Sequence, residues 1–144
     1  MLIEEFVQLV EKRKKEKPVW FGLESDPPAT SAQIQDVEVQ LRVRLPVSYR
    51  LFVTRYGGGY FALGNLFSVF PGSDWNIVER NRSLFPFGFL AVSDNGVGDL
   101  YGFRVTDGVC DEEIVMFDHE TGTISQPKYV DLFEFLEETA LKPR

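Results

Sequence analysis

One short stretch of the chain, residues 45–59, contains a start signal, a packing face and a stop signal for a helix. A proline such as Pro46 suits a first helical turn, where its missing N–H would have had no partner, and Gly57 can take the left-handed conformation that ends a helix. Between them, four large side chains at helical spacing form one stripe: Tyr49, Phe52, Val53 and Tyr56. The sequence therefore predicts a helix that packs into a core along this stripe.

Two further helices are predicted before this one. Apolar residues at helical spacing predict a first helix over residues 2–16. Thr30 and Gln33 have the spacing of a capping box and predict a second helix over about residues 31–43. The Pro27–Pro28 pair between the two excludes a helix and predicts an extended linker.

The pattern after the Gly57–Gly59 triplet is typical of strands bounded by turn residues. The predicted strands cover residues 60–63, 66–70, 89–93, 99–105 and 113–118. Gly64 and Asn65 separate the first two strands, which indicates a hairpin with its turn at this pair.

Two helices are predicted in the C-terminal half. Ser73 can cap a short helix from Asp74 to about Ser83, after which residues 85–88 return to an extended path. The last helix carries an apolar face near the C-terminus, and its predicted members are Val130, Phe133, Leu136 and Ala140.

The length of 144 residues suits one domain over 1–144, in which folding removes roughly two-thirds of the surface of the unfolded chain from water. No apolar run approaches the ~18 residues that a membrane helix needs, and no leader pattern precedes the first helix. The single cysteine, Cys110, cannot form an internal disulfide, and we expect it to be an inert, buried thiol. These features favour a folded cytoplasmic protein.

The charge is unevenly distributed along the chain. Residues 1–72 carry 9 basic and 8 acidic side chains, whereas residues 73–144 carry 6 and 14, so the halves differ by +1 against −8. An acidic surface repels phosphate backbones and attracts basic proteins. Direct nucleic-acid binding is therefore not expected. The simpler explanation for the charge imbalance is that an acidic surface keeps the protein soluble.

The order of the sequence motifs resembles that of the SUKH superfamily, which includes yeast cell-wall synthesis regulators and bacterial toxin-immunity proteins. The matching residues are Ile34 and Glu38, Leu45–Pro46 with Tyr49 and Phe52, Gly57–Gly59, Gly96–Asp99, Val115–Glu120 and Phe133–Leu136. The resemblance implies an α+β fold with a single twisted, largely antiparallel sheet of about five to six strands and with N- and C-terminal helices packed on one face. It also implies a binding role, without a catalytic residue or a cofactor.

Two polar clusters are candidate sites of chemistry. Asp94, Asn95 and Asp99 could offer oxygen ligands to a hard cation, but their spacing is not that of an EF-hand and Asp-Asn-Gly is an ordinary turn sequence. His119 stands between Asp118 and Glu120, which could make it a general base. Adjacent strand residues point to opposite faces, and one histidine is too few for a zinc site, so we predict no metal site.

The leading hypothesis is an immunity protein of a bacterial polymorphic toxin system that binds and neutralises a cognate toxin, a basic protein such as a nuclease. Trp75 is a large amphipathic residue in the acidic half, and we predict that it anchors the interface. The predicted partner-binding residues are Asp74, Trp75, Asp94, Asp99, Asp111, Glu112, Glu113 and Glu120. The alternatives are a regulatory or scaffold module that binds a protein or a peptide, and a hydrolase that uses Asp99, Asp118 or His119.

Overall fold

The structure is a computed structural model that describes residues 1–82 and 88–143. The helices are α1 (Ile3–Glu16), α2 (Ser31–Leu41), α3 (Val47–Tyr56), α4 (Ile77–Arg80) and α5 (Leu132–Thr139), with a 3-10 helix at Pro18–Phe21. The strands are β1 (Ser25–Asp26), β2 (Gly58–Phe61), β3 (Gly64–Leu66), β4 (Phe89–Asp94), β5 (Leu100–Thr106), β6 (Val109–Asp118) and β7 (Thr123–Ile124). The predicted α+β class is confirmed.

The strands form two antiparallel sheets, in the orders β1-β2-β3 and β4-β5-β6-β7. The antiparallel pairing was predicted, but the expectation of a single sheet was wrong. The sheets meet where the chain leaves β3: Phe67 donates its N–H to the carbonyl of Val92 over 2.7 Å. The side chain of Asn65 also forms hydrogen bonds with Ser93 and Asp94, and the Ser93 hydroxyl donates to the backbone carbonyl of Asn65. These hydrogen bonds join the end of the first sheet to β4.

Helix α3 has the predicted ends and the predicted packing face. Pro46 is its N-cap residue, and Gly57 follows the last residue with φ +81°. A Cβ at position 57 would collide with the carbonyl of Asp26. The positive φ and this lack of space both require glycine at this position. Tyr49, Phe52 and Val53 are fully buried, and burial raises the pKa of the Tyr49 phenol well above its usual range.

The core joins α1 to the elements around α3. The ring of Phe6 lies 6.1 Å from the ring of Phe52, 6.1 Å from that of Phe61 and 5.0 Å from that of Phe133, measured between centroids. One side chain of α1 thus contacts α3, β2 and α5. The N- and C-terminal helices therefore share one core with the first sheet.

The predicted capping box of α2 is confirmed, because Thr30 Oγ1 accepts the N–H of Gln33 and Gln33 Oε1 accepts that of Thr30. The predicted first helix differs by one residue from α1, and α2 ends at Leu41 instead of about residue 43. Arg42 follows α2 in the left-handed conformation, with φ 55°. This left-handed residue ends the helix earlier than the apolar pattern suggested.

The predicted hairpin is present, but its turn lies two residues earlier than predicted. Strand β2 begins within the glycine triplet at Gly58, the turn is at Ala62 and Leu63, and Gly64 and Asn65 belong to β3. Ala62 takes the left-handed conformation, with φ 49°, and Leu63 donates its N–H to the carbonyl of Ala140. This contact with the end of α5 fixes the turn, and turn propensity alone could not reveal it.

The predicted short helix begins later than expected. The side chain of Asn76 accepts the N–H groups of Val78 and Glu79 and caps α4, whereas Ser73 accepts the N–H of Trp75 and donates to Asp26. Trp75 therefore precedes the helix. The predicted end near Ser83 and the extended path over residues 85–87 lie outside the described residues.

The last strands and the last helix also differ from the prediction in their limits. Strand β6 starts at Val109 and β7 was not predicted. Helix α5 begins after Asp131, which caps it by accepting the N–H of Glu134, so Val130 lies outside the helix and is exposed. Within the described residues, no helix has the length and apolar character needed to span a bilayer.

Candidate partner-binding surface

The register of the second sheet places two acidic loops next to each other. Asp94 pairs with Leu100, and Leu100 pairs with Phe117 on the next strand. The loop from β4 to β5 and the loop from β6 to β7 therefore lie at the same end of this sheet. Asp99 and His119, one from each loop, meet there.

The contact between the two loops is a histidine–carboxylate pair. His119 Nδ1 lies 2.9 Å from Asp99 Oδ1, and the backbone N–H of His119 also points to this oxygen. The hydrogen bond to Asp99, helped by the charges of Asp118 and Glu120, raises the pKa of His119. The same hydrogen bond lowers the pKa of the Asp99 carboxyl. The pair joins the two loops, and its attraction is strongest when the imidazole is charged.

Glycine at position 98 lets the histidine ring approach the first loop. A Cβ at Gly98 would lie 2.9 Å from the ring carbon Cε1 of His119. The ring thus packs on the backbone of the β4–β5 loop. Asn95 Nδ2 donates to Asp99 over 3.3 Å, so the carboxylate is oriented from its own loop as well.

Arg80 connects this end of the sheet to Trp75. Its guanidinium carbon lies 4.9 Å from the Trp75 ring centroid and 5.0 Å from that of Phe67. Its Nη1 is 3.5 Å from Asp94 Oδ2, and its Nε donates to the backbone carbonyl of Asp74. One arginine thus holds the Asp74–Trp75 segment against the acidic loops.

Trp75 is half-buried and stands beside an exposed tyrosine. Its ring centroid lies 5.1 Å from that of Tyr60, with an angle of 70° between the planes. A Cβ at Gly59 would come 3.3 Å from Trp75 Cδ1, so the indole lies directly over the backbone of β2. The indole is held in place while part of its surface faces solvent.

These contacts form one continuous surface, which we call the acidic end. It comprises Asp74, Trp75, Asp94, Asp99, Asp118 and Glu120. Five of these six residues were predicted from the sequence as partner-binding residues. The structure brings them together from three separate segments of the chain.

The other three predicted residues lie elsewhere. Asp111, Glu112 and Glu113 belong to β6, and Glu112 precedes Asp118 by six residues, or about 20 Å of strand. Glu112 accepts the N–H groups of Val47 and Ser48 and the Ser48 hydroxyl, at 2.8, 3.3 and 2.9 Å. It therefore caps α3 across the molecule, while Asp111 and Glu113 are exposed.

Cys110, next to these residues, is buried as expected. Burial, assisted by the charges of Asp111, Glu38 and Glu112, raises the pKa of its thiol to about 12. A thiol in this state is a weak nucleophile at neutral pH.

Three further residues lie beside Trp75 and were not predicted from the sequence as site residues. Glu24 and Asp26 reach this region because β1 pairs with β2 in the register Ser25–Gly59 and Asp26–Gly58. Arg80 reaches it from α4. The two prolines that follow Asp26 indicated an extended segment. No local pattern in the sequence indicated that this segment pairs with β2.

The contact between the two acidic loops also brings together groups that are capable of chemistry. Asp99, Asp118 and His119 each place one possible ligand atom within 4.8 Å of the others. Exposed carboxylates often gather in loops without an ion, so this grouping alone does not define a metal site. Within the described residues, no serine, threonine or cysteine side chain is hydrogen-bonded to His119, so the pair lacks a neighbouring nucleophile.

Comparison with known proteins gives one result. A protein-family model with the description "SUKH_6: SMI1-KNR4 cell-wall" matches residues 31–136, which run from the start of α2 into α5. A search of the curated proteins found no match to this chain. The matched segment contains α3 and all of the acidic end.

Proposed function

The chain belongs to the SUKH superfamily, in the family described as SMI1-KNR4 cell-wall, and on this basis we propose a protein-binding function for it. In this proposal the protein is not an enzyme. It is an immunity protein of a bacterial polymorphic toxin system, acts in the cytoplasm, and binds a basic toxin, such as a nuclease, so that the toxin cannot reach its substrate.

The acidic end is the observation that carries this proposal. Five carboxylates lie there with two cationic groups, Arg80 and His119, each of which is already paired with a carboxylate. Such an excess of one sign accelerates the encounter with an oppositely charged protein and disfavours nucleic acid. A basic toxin is therefore the partner class that this surface fits best.

Trp75 supports the proposal as an anchor. Interface hot spots are enriched in tryptophan, tyrosine and arginine that a partner can cover completely. Trp75 is half-buried, is packed between Arg80 and Tyr60, and is surrounded by charges that could form a polar rim. Asp111 and Glu113 remain candidates for a second, smaller contact on β6.

We further propose that the domain comprises the whole chain, residues 1–144. The family match begins at residue 31, but α1 contributes the fully buried Phe6 and Val10. Removal of α1 would expose the rings of Phe52, Phe61 and Phe133 that Phe6 covers. This packing supports one folding unit that is larger than the matched segment.

The test is co-expression with the toxin-like domain encoded by the neighbouring gene. We expect the two proteins to co-purify at low salt, the complex to weaken at high salt, and the chain to restore growth of cells that express the toxin. A variant with Asp94→Asn and Glu120→Gln should lose affinity, whereas Asp107→Asn, at the opposite end of the sheet, should not. Absence of a complex at low salt would contradict the immunity function.

The family description favours one alternative. Because it refers to the cell wall, a regulatory or scaffold module that binds a protein or a peptide of that machinery is the second candidate. The gene neighbourhood separates the two hypotheses, since a toxin gene next to this one supports immunity. If this chain captures a protein or a peptide of the cell-wall machinery from cells that lack a toxin gene, the result would support the regulatory function.

A hydrolase is the third hypothesis, and the proximity of Asp99, Asp118 and His119 is its only support. Asp99→Asn, Asp118→Asn or His119→Gln would then abolish the activity found in a hydrolase screen. An activity that survives these changes would exclude the three residues from catalysis.

A further inference from the structure

We propose that a cleft beside Trp75 binds the guanidinium group of an arginine side chain on the protein partner. This inference rests on the proposed protein-binding function and specifies the group that the surface recognises. The cleft has a volume of about 360 Å³ and lies between β1, the exposed side of Tyr60 and the segment before α4. Its main lining residues are Glu24, Asp26, Tyr60, Ser73, Asp74 and Trp75.

The first observation is an aromatic wall. Tyr60 and Trp75 meet edge to face with ring centroids 5.1 Å apart, and Tyr60 is 46% exposed. Aromatic faces attract cations, and guanidinium groups stack on them more readily than ammonium groups do. Within the protein itself, the guanidinium of Arg80 already packs on the same indole, 4.9 Å from the Trp75 ring centroid.

The second observation is a carboxylate held in a fixed orientation. Asp26 Oδ2 accepts the hydroxyl hydrogens of Ser68 and Ser73 at 2.5 and 2.6 Å. These two bonds fix the carboxylate, and within the described residues Oδ1 has no hydrogen-bond partner. A fixed carboxylate with a free oxygen loses little conformational entropy when it accepts a guanidinium N–H.

The third observation is charge complementarity. Glu24 and Asp74 are exposed, and neither forms an ion pair with another described residue. Together with Asp26 they give the cleft three carboxylates, and the residues that line it include no lysine or arginine. Arg80, which contacts Trp75 without lining the cleft, is partly compensated by Asp94 at 3.5 Å. The cleft therefore lacks a cation of its own.

Arginine fits these three observations better than lysine does. A guanidinium is planar and can stack on the aromatic wall while its N–H groups point to carboxylates at the edges. An ammonium group binds as a point charge and keeps more of its hydration. We therefore expect the cleft to discriminate between the two side chains.

The experiment uses the whole chain and a small probe, so it does not depend on identifying the partner. The probe is N-acetyl-arginine methylamide, titrated into ¹⁵N-labelled protein and followed by NMR. Its controls are the citrulline analogue, which has nearly the same shape without the charge, and the lysine analogue. We expect saturable shifts centred on the Trp75 indole N–H and the amides of Gly59 and Tyr60, at least about threefold weaker binding of lysine, and no saturation with citrulline.

Substitutions distinguish specific binding in the cleft from nonspecific attraction of the probe to acidic surface. Glu24→Gln and Asp74→Asn remove exposed charges, so folding should be preserved, and each should weaken arginine binding by about threefold. Tyr60→Ala should weaken it by a similar factor. Asp107→Asn makes the same charge change at the opposite end of the second sheet and should leave binding unchanged.

Two results would overturn this inference. One is a set of shifts spread evenly over all acidic segments, and the other is equal binding of arginine and citrulline. Equal binding of arginine and lysine would overturn the preference for arginine. If the toxin complex depends on Asp94 and Glu120 but not on Glu24, Asp74 and Tyr60, the proposed function stands and the cleft fails. If arginine binds in the cleft but no toxin complex forms, the cleft stands and the immunity function fails.

Discussion

Two groups of carboxylates in this molecule have the same chemistry but contact different partners. At the start of α3, Glu38 accepts the N–H of Leu45 over 2.8 Å, and Glu112 accepts those of Val47 and Ser48. At the acidic end, Asp94 and Asp118 accept N–H groups of their own loops. The first group satisfies backbone donors at the start of a helix that packs in the core, whereas these backbone contacts of the second group shape turns at the surface.

The number of acidic residues in a region therefore does not show which of them bind a partner. A carboxylate that satisfies a helix N-terminus contributes to folding, and its removal leaves backbone donors without an acceptor. A carboxylate in an exposed turn can be replaced at little cost in stability. We therefore expect the region around α3 to determine stability and the acidic end to determine recognition.

The largest effect is expected in the core beneath α3. Phe52→Ala should lower the free energy of unfolding by ~3 to 5 kcal/mol, because it removes a fully buried ring and leaves a cavity next to Phe6 and Phe61. Urea denaturation measures this change. Leu51→Ala, on the same helix but 40% exposed, is the control and should cost much less. Equal losses for the two variants would show that the stripe does not face the core.

The next effect tests the cap of α3. Glu112→Ala should lower the free energy of unfolding by ~1 to 2 kcal/mol, the usual cost of losing an N-terminal cap. Glu113→Ala is the matched control, because Glu113 is adjacent and exposed but has no hydrogen-bond partner among the described residues. A similar loss in both variants would mean that Glu112 does not act through α3.

The α3 region also shows how far the sequence could predict the structure. Local signals predicted the limits of the helix, the capping box of Thr30 and Gln33, and the stripe of Tyr49, Phe52 and Val53. The partner of Glu112 was not predictable, since 64 residues separate it from Ser48 and no local pattern encodes such a contact. Strand pairing is non-local in the same way.

The same reasoning applies to the acidic end. The residues Asp74, Trp75, Asp94, Asp99 and Glu120 were predicted as binding residues from charge and side-chain type, but their proximity depends on the register of β4, β5 and β6. The cleft beside Trp75 was missed because β1 is only two residues long and pairs with glycines. Two residues carry too little pattern to be recognised as a strand.

A smaller effect is expected from the pair of His119 and Asp99. The folded pKa of His119 is raised, so its contribution is complete below about pH 6.5, the ordinary histidine value, and is lost as the pH rises through the folded pKa. The folded pKa of Asp99 is lowered, so its contribution is lost only as the pH falls below its ordinary value and through the folded pKa. Stability from this pair is therefore greatest in mildly acidic solution.

The measurement is urea denaturation of the wild type and His119→Gln from mildly acidic to mildly alkaline pH. His119 is the single histidine of the chain, so the difference between the two proteins isolates its titration from that of the N-terminal amine. The wild-type advantage should shrink as the pH rises and should remain below the effect of Glu112→Ala. A difference that is constant across this range would contradict the charged contact between the loops.

The smallest effect on stability, and the most informative one for recognition, is expected at Glu120. Glu120→Gln should change the free energy of unfolding by less than ~0.5 kcal/mol, because the side chain is exposed and only its backbone N–H is used, by Asp118. Its charge still adds to the field of the acidic end, so the rate of association with a basic toxin should fall by about twofold at low salt and be nearly unchanged at high salt. Asp107→Asn, which removes a charge from the opposite end of the sheet, should alter neither quantity. A loss of stability in Glu120→Gln as large as that in Glu112→Ala would show that the acidic end is a structural element like the start of α3. The division of the molecule into a stabilising region and a recognition region would then be wrong.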